Sequence, residues 1–188
     1  MADINPNATL LTARLRLEPY QARHAKALNA INNEPNVMRF LSNGEPETLQ
    51  DTRNLIKRVA RRWEQLGYSW WAVLEANTDQ IIGAACLQHV AGKPGAELEI
   101  GWRLTGTATG KGYATEAGKA TADYAFDIVG VDHVIATAHP DNLPSHNVMR
   151  RIGMTFRGLE THYNIPSTTY VLQKSDHLAA RAIPFPRV

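Results

Sequence analysis

Cysteine is nearly absent from the 188-residue sequence, which contains only Cys86. A single thiol cannot form an internal disulfide or a cysteine-based zinc site, so packing must stabilise the fold. No apolar run reaches the roughly 18 uncharged residues that a membrane helix needs. The first ten residues also lack the basic start and apolar middle of a signal peptide. We therefore expect a cytoplasmic protein with no membrane partner.

A charge excess of either sign is also missing. Twenty Lys and Arg residues stand against 18 Asp and Glu residues, a net charge of +2 that is too balanced to indicate a polyanionic partner. The basic cluster at 53–62 lacks interleaved aromatic side chains, so we expect no nucleic-acid partner. The seven histidines show no spacing typical of metal ligands, and no metal site is predicted.

The chain length favours one folded domain. With 44% hydrophobic residues and no repeat or linker-like stretch, residues 1–188 are expected to form a single domain. We place its core at about residues 10–175 and a C-terminal tail at 176–188.

Hydrophobic periodicity predicts the main elements. Apolar side chains recur at helical spacing over 47–66 and end at Gly67, which predicts a helix. Strands are predicted at 15–18, 70–75, 81–88, 96–104, 133–138, 155–160 and 168–174, and further helices at 115–129 and 145–152. Strands joined by hairpins, followed by a strand–loop–helix–strand unit, indicate an α+β fold with a mixed sheet.

The most informative segment is 96–125, where a predicted strand leads through a glycine-rich loop into a helix. Gly110 and Gly112 allow close backbone approach, and the helix start offers unpaired N–H groups, which together are typical of a phosphate site. A P-loop is excluded because Lys111 is followed by glycine rather than by Ser or Thr. A dinucleotide fingerprint is excluded because it requires a glycine where Thr115 stands.

Two carboxylates stand on the strand that leads into this loop. Glu97 and Glu99 alternate with apolar residues, so both side chains lie on one face of the strand. Partial burial would raise the pKa of Glu99 towards neutrality and suit it to accept a proton from an amine. Glu97 or water remains an alternative base. A purely structural role also remains open, because an isolated Glu-x-Glu is more often the solvated face of a strand.

Four motifs occur in order along the chain. They are Arg14-Leu15-Arg16-Leu17, Glu99-Ile100-Gly101-Trp102, the string GYATEA at 112–117, and Asn142-x-x-Ser145 followed by VMRRIGM at 148–154. Together they resemble the GCN5-related N-acetyltransferases (GNAT), and among these the RimJ/RimL-like ribosomal-protein N-terminal acetyltransferases. The resemblance covers most of the chain. It implies a GNAT fold, a central, mixed, mostly antiparallel sheet flanked by helices.

The resemblance implies acetyl-CoA as acetyl donor and no metal. In that family a Gln/Arg-x-x-Gly-x-Gly/Ala loop wraps the CoA pyrophosphate; Gly112 and Ala114 match its last two fixed positions, and Thr109 departs from its first. Backbone amides near Arg103 and Leu104 would pair with the pantetheine arm and polarise the thioester carbonyl. The full set expected to bind the cosubstrate is Arg103, Leu104, Thr109, Gly110, Lys111, Gly112, Tyr113, Ala114, Thr115 and Asn142.

Two catalytic roles are implied as well. Glu99 is the expected base and Ser145 the expected acid for the departing thiolate. Asn142 and Ser145 are also good turn and helix-capping residues, so capping remains an alternative for both.

The implied reaction is direct attack of a primary amine on acetyl-CoA in a ternary complex. The acceptor is a protein N-terminal α-amine or a small-molecule amine, and its pocket is expected around 32–44, Trp70, Trp71 and the late strands. A non-catalytic acyl-CoA-binding or sensor domain is the alternative, which the departure at Thr109 keeps open. Relatives in this branch are often dimers, so a homodimer is also implied.

Overall fold

The structure is a computed structural model that describes residues 8–40 and 45–182. The strands in these ranges are β1 (Leu10–Leu11), β2 (Leu15–Pro19), β3 (Trp70–Glu75), β4 (Ile81–His89), β5 (Leu98–Leu104), β6 (His133–Ala138), β7 (Thr155–His162) and β8 (Ile165–Gln173). The α-helices are α1 (Ala25–Asn32), α2 (Pro35–Met38), α3 (Leu49–Leu66), α4 (Tyr113–Tyr124), α5 (Leu143–Ile152) and α6 (Lys174–Ala182). Short 3-10 turns lie at Ala22–His24, Val90–Gly92 and Gly106–Ala108.

The eight strands form one sheet in the order β1-β2-β3-β4-β5-β6-β8-β7. All neighbouring strands are antiparallel except β5 and β6, which are parallel and are joined by the crossover helix α4. A parallel pair needs such a long connection, whereas the antiparallel pairs can be joined by short turns. The expected single α+β domain with a mixed, mostly antiparallel sheet flanked by helices is confirmed.

The helix predicted at 145–152 begins earlier, at Leu143. Pro144 occupies its first turn, where the fixed φ of proline suits a helix start. The Asn142 side chain caps this end by accepting from the Ser145 N–H at 3.3 Å. The local capping chemistry therefore sets the boundary, and the apolar periodicity that predicted the helix reports only its interior.

The helix predicted over 115–129 begins two residues earlier, and its last turn, Ala125–Val129, is π-helical. Of the tail expected at 176–188, residues 176–182 belong to α6, and 183–188 lie outside the described residues. No helix in the part of the chain that the structure describes is long and apolar enough to cross a membrane.

An aromatic cluster joins α3 and α4 to the sheet. The Trp63 ring meets the Trp71 ring edge-on at 4.8 Å between centroids, and Trp71 in turn meets Tyr124 at 5.4 Å. Trp63 Nε1 donates to the Trp70 carbonyl (3.2 Å), and Tyr124 Oη donates to the Gly67 carbonyl (2.7 Å). Edge-on packing and satisfied polar tips make such rings strong contributors to a core.

Helix α4 crosses the sheet at Gly118, which has no side chain to hold it away. A Cβ placed on Gly118 would lie 2.5 Å from Ile152 Cδ1 of α5 and 3.3 Å from the Trp102 ring of β5. This glycine therefore sets how closely α4 approaches both β5 and α5.

We expect Gly118→Val to lower the free energy of unfolding by about 1–3 kcal/mol, because the added methyl groups overpack this contact. Gly158→Val is the control, since no atom lies within 4 Å of a Cβ at that position. Thermal or urea unfolding of both variants measures the difference. An equal loss in the two variants would contradict the close packing of α4.

Candidate active site

The strands β5 and β6 pair at one position, Glu99 with Ile135, and are not paired beyond it. The Thr105 N–H donates to the Ile82 carbonyl of β4 (2.9 Å). Because backbone groups alternate along a strand, the N–H groups of Trp102 and Leu104 point to the opposite side, into the gap towards β6. The amide of Arg103, which the sequence analysis grouped with Leu104, points to β4 instead. Ligands in α/β sheets bind where parallel strands part at their carboxyl ends.

The loop that follows β5 presents a cluster of free N–H groups at the start of α4. Gly110 and Gly112 have φ of +76° and +83°, a conformation that glycine adopts without strain. Gly112 is the N-cap residue and makes no side-chain cap, and the first intrahelical bond runs from Glu116 N to the Gly112 carbonyl (3.1 Å). The N–H groups between these two residues therefore have no acceptor within the helix. Such an end attracts an anion.

An open cleft of about 600 Å³ adjoins this helix start. It is lined by Arg14, Gly110, Lys111, Gly112, Thr115, Glu116, Lys119 and Arg151. Four of these side chains are cationic and one is acidic, and Glu116 is neutralised by Arg14 at 2.6 Å. The buried Thr115 Oγ1 has no hydrogen-bond partner. Excess positive charge, free N–H groups and an unpaired hydroxyl suit this cleft to a phosphate-bearing ligand.

Arg14, Lys119 and Arg151 were not among the predicted ligand-binding residues. Lys119 lies one helical turn after Thr115, so its place in the cleft could have been read from the spacing. Arg14 and Arg151 come from β2 and α5 regions remote in sequence, and no local pattern could bring them here.

Two predicted loop residues direct their side chains away from the cleft. The Thr109 hydroxyl donates back to the Gly106 carbonyl (2.8 Å). Tyr113 Oη donates to the Glu75 carboxylate (2.6 Å), while its ring lies under the Arg14 guanidinium at 4.7 Å. For these residues, as for Ala114, only backbone groups are available to a ligand in this arrangement.

Glu99 lies at the point where the strands part and is only 6% exposed. Burial raises the pKa of its carboxyl from the usual 4.5 to about 7, and hydrogen bonds from Gln88 and Thr137 oppose that rise. Gln88 Nε2 donates to Oε1 at 2.8 Å and the Thr137 hydroxyl to Oε2 at 3.4 Å. The Tyr163 hydroxyl, from the turn between β7 and β8, also donates to Oε1. The carboxyl group is thus held in place and can exchange a proton near neutral pH.

Glu97 was expected on the same strand but immediately precedes it, since β5 begins at Leu98, and its environment differs from that of Glu99. The Arg157 guanidinium donates to both carboxylate oxygens (2.7 and 2.9 Å), and His133 Nε2 lies 2.9 Å away. The pKa of Glu97 is lowered, with the hydrogen bonds from Arg157 the main cause. A carboxylate held by an arginine is a weak base, so the two residues of this Glu-x-Glu pair differ in what they can do.

Asn142 and Ser145 lie across the gap, at the start of α5. Asn142 is the cap of this helix, as described above, and its amide oxygen is engaged by the Ser145 N–H. Ser145 is half-buried in the first turn of this helix. The capping role considered from the sequence is thus present for Asn142.

Only some of the residues that were expected to line an acceptor pocket lie next to Glu99. Trp70 is half-buried and donates through Nε1 to Gln88 Oε1 (2.9 Å), next to Glu99. Trp71 is fully buried in the aromatic cluster on the other face of the sheet, so its expected place in the pocket is wrong. Successive strand residues point to opposite faces, which separates these two tryptophans. Residues 41–44 of the expected segment lie outside the described residues.

Comparison with known proteins gives consistent matches. A family model described as "Acetyltransferase (GNAT) domain" matches residues 14–155. "Uncharacterized N-acetyltransferase YnaD" of Bacillus subtilis is 29% identical over 150 residues, which cover 79% of this chain and 84% of the relative. The crystal structure of an acetyltransferase from Agrobacterium tumefaciens has a TM-score of 0.76 at 27% identity, covering 89% of this chain and 95% of that chain.

A further solved structure, Mycobacterium smegmatis RimJ in complex with CoA-disulfide, has a TM-score of 0.79 and covers 93% of this chain and 95% of that chain. Its identity of 19% makes this a likeness of fold. The match to the GNAT family model makes acetyl-CoA the ligand to test at the cleft and helix start described above.

We expect Gly112→Ala to weaken acetyl-CoA affinity by about tenfold or more, equivalent to about 1.4 kcal/mol. The residue has positive φ, and its new methyl group would lie 3.4 Å from the Arg14 guanidinium in the cleft. Gly95→Ala is a matched control, with a φ of +82° and open space around the Cβ position. Both variants should lose similar stability, but only Gly112→Ala should lose affinity in calorimetric titration. Equal affinities would exclude this loop from the site.

Stability as a function of pH tests the burial of Glu99. Its raised pKa means that the protonated form stabilises the fold below about pH 4.5, and that this contribution is lost as the pH rises through about 7. We therefore expect Glu99→Gln to gain stability relative to wild type over this range, by up to about 3 kcal/mol. Glu97→Gln should behave oppositely and be less stable than wild type at neutral pH, because the lowered pKa of Glu97 stabilises the fold when ionised. The same dependence of stability on pH in both variants would contradict the different environments of Glu97 and Glu99.

Proposed function

This chain belongs to the GNAT family of acetyltransferases, and we propose that it transfers acetyl from acetyl-CoA to a primary amine by direct attack in a ternary complex. The observation that carries the proposal is the position of Glu99. A buried carboxyl with a pKa of about 7 lies where β5 and β6 part, and the same strand leads directly into a cationic helix start. A proton acceptor and an anion site are thereby built on one continuous segment.

The cleft residues fit the cosubstrate. The N–H groups at the start of α4 would bind pyrophosphate oxygens, and the cations Arg14, Lys111, Lys119 and Arg151 would add electrostatic attraction. Acetyl-CoA, when bound, supplies an acyl carbon whose C–S bond breaks as the bond to the amine nitrogen forms. The pantetheine arm would follow the gap between the strands, where the N–H groups of Trp102 and Leu104 are free to donate.

Glu99 accepts the proton that an ammonium must lose before its nitrogen can attack. With a pKa of about 7, a substantial fraction of Glu99 is ionised at neutral pH and can accept a proton. A pKa near the working pH is the most favourable value for a general base. Glu97 is the weaker candidate because Arg157 holds it in the ionised state. The N–H group of Leu104 would stabilise negative charge on the carbonyl oxygen, and Ser145 would donate a proton to the leaving thiolate.

We further propose that the chain lies within the RimJ/RimL-like branch, on the basis of the GYATEA string and the Asn142-x-x-Ser145 spacing. The acceptor would then be a protein N-terminal α-amine or a small amine, and a homodimer is the proposed assembly. The departure at Thr109 fits this proposal, because its side chain turns back to Gly106 and leaves the backbone donors of the loop free.

We expect Glu99→Gln to lower kcat by about 100-fold while the acetyl-CoA Kd stays near the wild-type value. In wild type, kcat should fall as the pH drops below about 7, because protonated Glu99 cannot accept a proton. This fall of kcat at low pH should disappear in the variant. The difference in kcat between wild type and variant should shrink at high pH, where more of the amine is already neutral. Thiol release across an amine panel measures each rate.

Glu97→Gln is the matched control, since it changes the nearby carboxylate that immediately precedes β5. We expect this variant to keep the wild-type kcat and the fall of kcat below about pH 7. Ser145→Ala should cost less than Glu99→Gln, because water can protonate a thiolate. An unchanged kcat in Glu99→Gln would move the base to Glu97 or to solvent, and binding of acetyl-CoA without thiol release from any amine would contradict the proposed activity.

A further inference from the structure

Arg103 is a sheet arginine that no carboxylate neutralises within the described residues. Its guanidinium carbon lies 4.5 Å from the centroid of the Trp70 ring, and one terminal nitrogen donates to Tyr20 Oη at 3.2 Å. Its Nε is buried and has no hydrogen-bond partner. Buried polar groups are normally paired, so an unpaired guanidinium nitrogen indicates a missing acceptor.

Arg103 and Glu99 lie on the same face of the sheet. They are separated by four positions on β5, so alternation directs both side chains the same way. The side chains between them form a continuous path, in which Trp70 stacks with Arg103 and bonds Gln88, and Gln88 bonds Glu99. The opposite face is covered by α4, which packs on Trp102. The Arg103 side chain therefore lies on the face of the sheet from which an amine would reach Glu99. The start of α4, with its free N–H groups, belongs to the opposite face.

On this face, two groups of opposite character lie at the two ends of the path of side chains. Glu99 is a proton acceptor at one end of the path, and Arg103 is a permanent cation at the other. Glu47 also acts electrostatically on the Tyr20 hydroxyl, but its carboxylate accepts from Asn32 Nδ2 (2.6 Å) and forms no ion pair with Arg103. The described acids thus leave the charge of Arg103 uncompensated.

We propose that Arg103 binds a carboxylate of the acceptor, so that the acceptor class is a small amine whose carboxylate is several bonds from its nitrogen, such as an ω-amino acid. This inference rests on the proposed function, because the amine is the one that Glu99 deprotonates. A planar guanidinium matches a carboxylate in geometry as well as in charge. Contacts at the carboxylate and at the amine hold the acceptor at two points, which directs the nitrogen towards the acyl carbon.

The experiment measures the preference for carboxylates over matched neutral amines. Full-length protein and acetyl-CoA are assayed for thiol release with ω-amino acids of increasing length and with α-amino acids, each paired with its primary carboxamide. We expect kcat/KM to be at least about tenfold higher for the best carboxylate than for its carboxamide. In Arg103→Met this ratio should fall to near one, chiefly through a higher KM, and Arg103→Lys should retain only part of it.

Arg58→Met is the matched control, since Arg58 is an exposed arginine on α3 rather than on β5. It should keep the wild-type ratio. Melting temperature and acetyl-CoA affinity check that Arg103→Met is folded. If it is not, Tyr20→Phe removes the hydroxyl that positions the guanidinium and should lower the ratio in a folded protein.

The outcomes separate the inference from the proposed function. Equal rates with carboxylates and carboxamides, or an unchanged ratio in the Arg103 variants, overturn the inference and leave the acetyltransferase intact. Thiol release only from amines without a carboxylate does the same. Failure to release thiol from any amine overturns both.

Discussion

The parallel strands β5 and β6 share a single paired position, and the separation of the strands beyond it is the constraint on which the site depends. An antiparallel ladder on both sides of β5 would pair the N–H groups of Trp102 and Leu104 and leave nothing for a ligand. Separation frees these groups and directs both strands into loops that end at helix starts, α4 and α5. The free N–H groups of β5 and the two loops that lead to α4 and α5 are therefore consequences of one topological feature.

Competition between desolvation and hydrogen bonding decides the chemistry of Glu99 on β5 and of Glu97 just before it. At Glu99 desolvation prevails over the opposing hydrogen bonds from Gln88 and Thr137, so the pKa rises. At Glu97 the hydrogen bonds from Arg157 prevail over a smaller desolvation, so the pKa falls. The two residues are identical in type and share a face. Their pKa values differ because Glu99 lies beneath the β7–β8 turn, whereas Glu97 lies beside Arg157. Burial is what makes Glu99 a candidate base.

The sequence predicted those parts of the site that are local. The strand that carries Glu99, the glycines at 110 and 112 and the start of α4 are patterns within one segment, and each is present in the structure, although the strand begins at Leu98 and leaves out Glu97. Arg151, Tyr163 and Arg103 with its unpaired Nε could not be predicted in their roles, because these depend on contacts between distant segments. Trp71 was wrongly expected in the pocket because its partner Trp63 on α3 could not be inferred from local order.

The loop between β5 and α4 is held at both ends by residues from the N-terminal part of the chain. At its start, the Glu34 carboxylate accepts from the Gly106 N–H (2.7 Å) and the Thr105 hydroxyl. At its end, Arg14 donates to the Lys111 carbonyl (3.0 Å) and pairs with Glu116. Fixing both ends reduces the conformational entropy that the loop must lose on binding a phosphate group, so more of the interaction energy is retained as affinity. Because Glu34 is the N-cap residue of α2, the same contact also couples the position of α2 to the geometry of this loop.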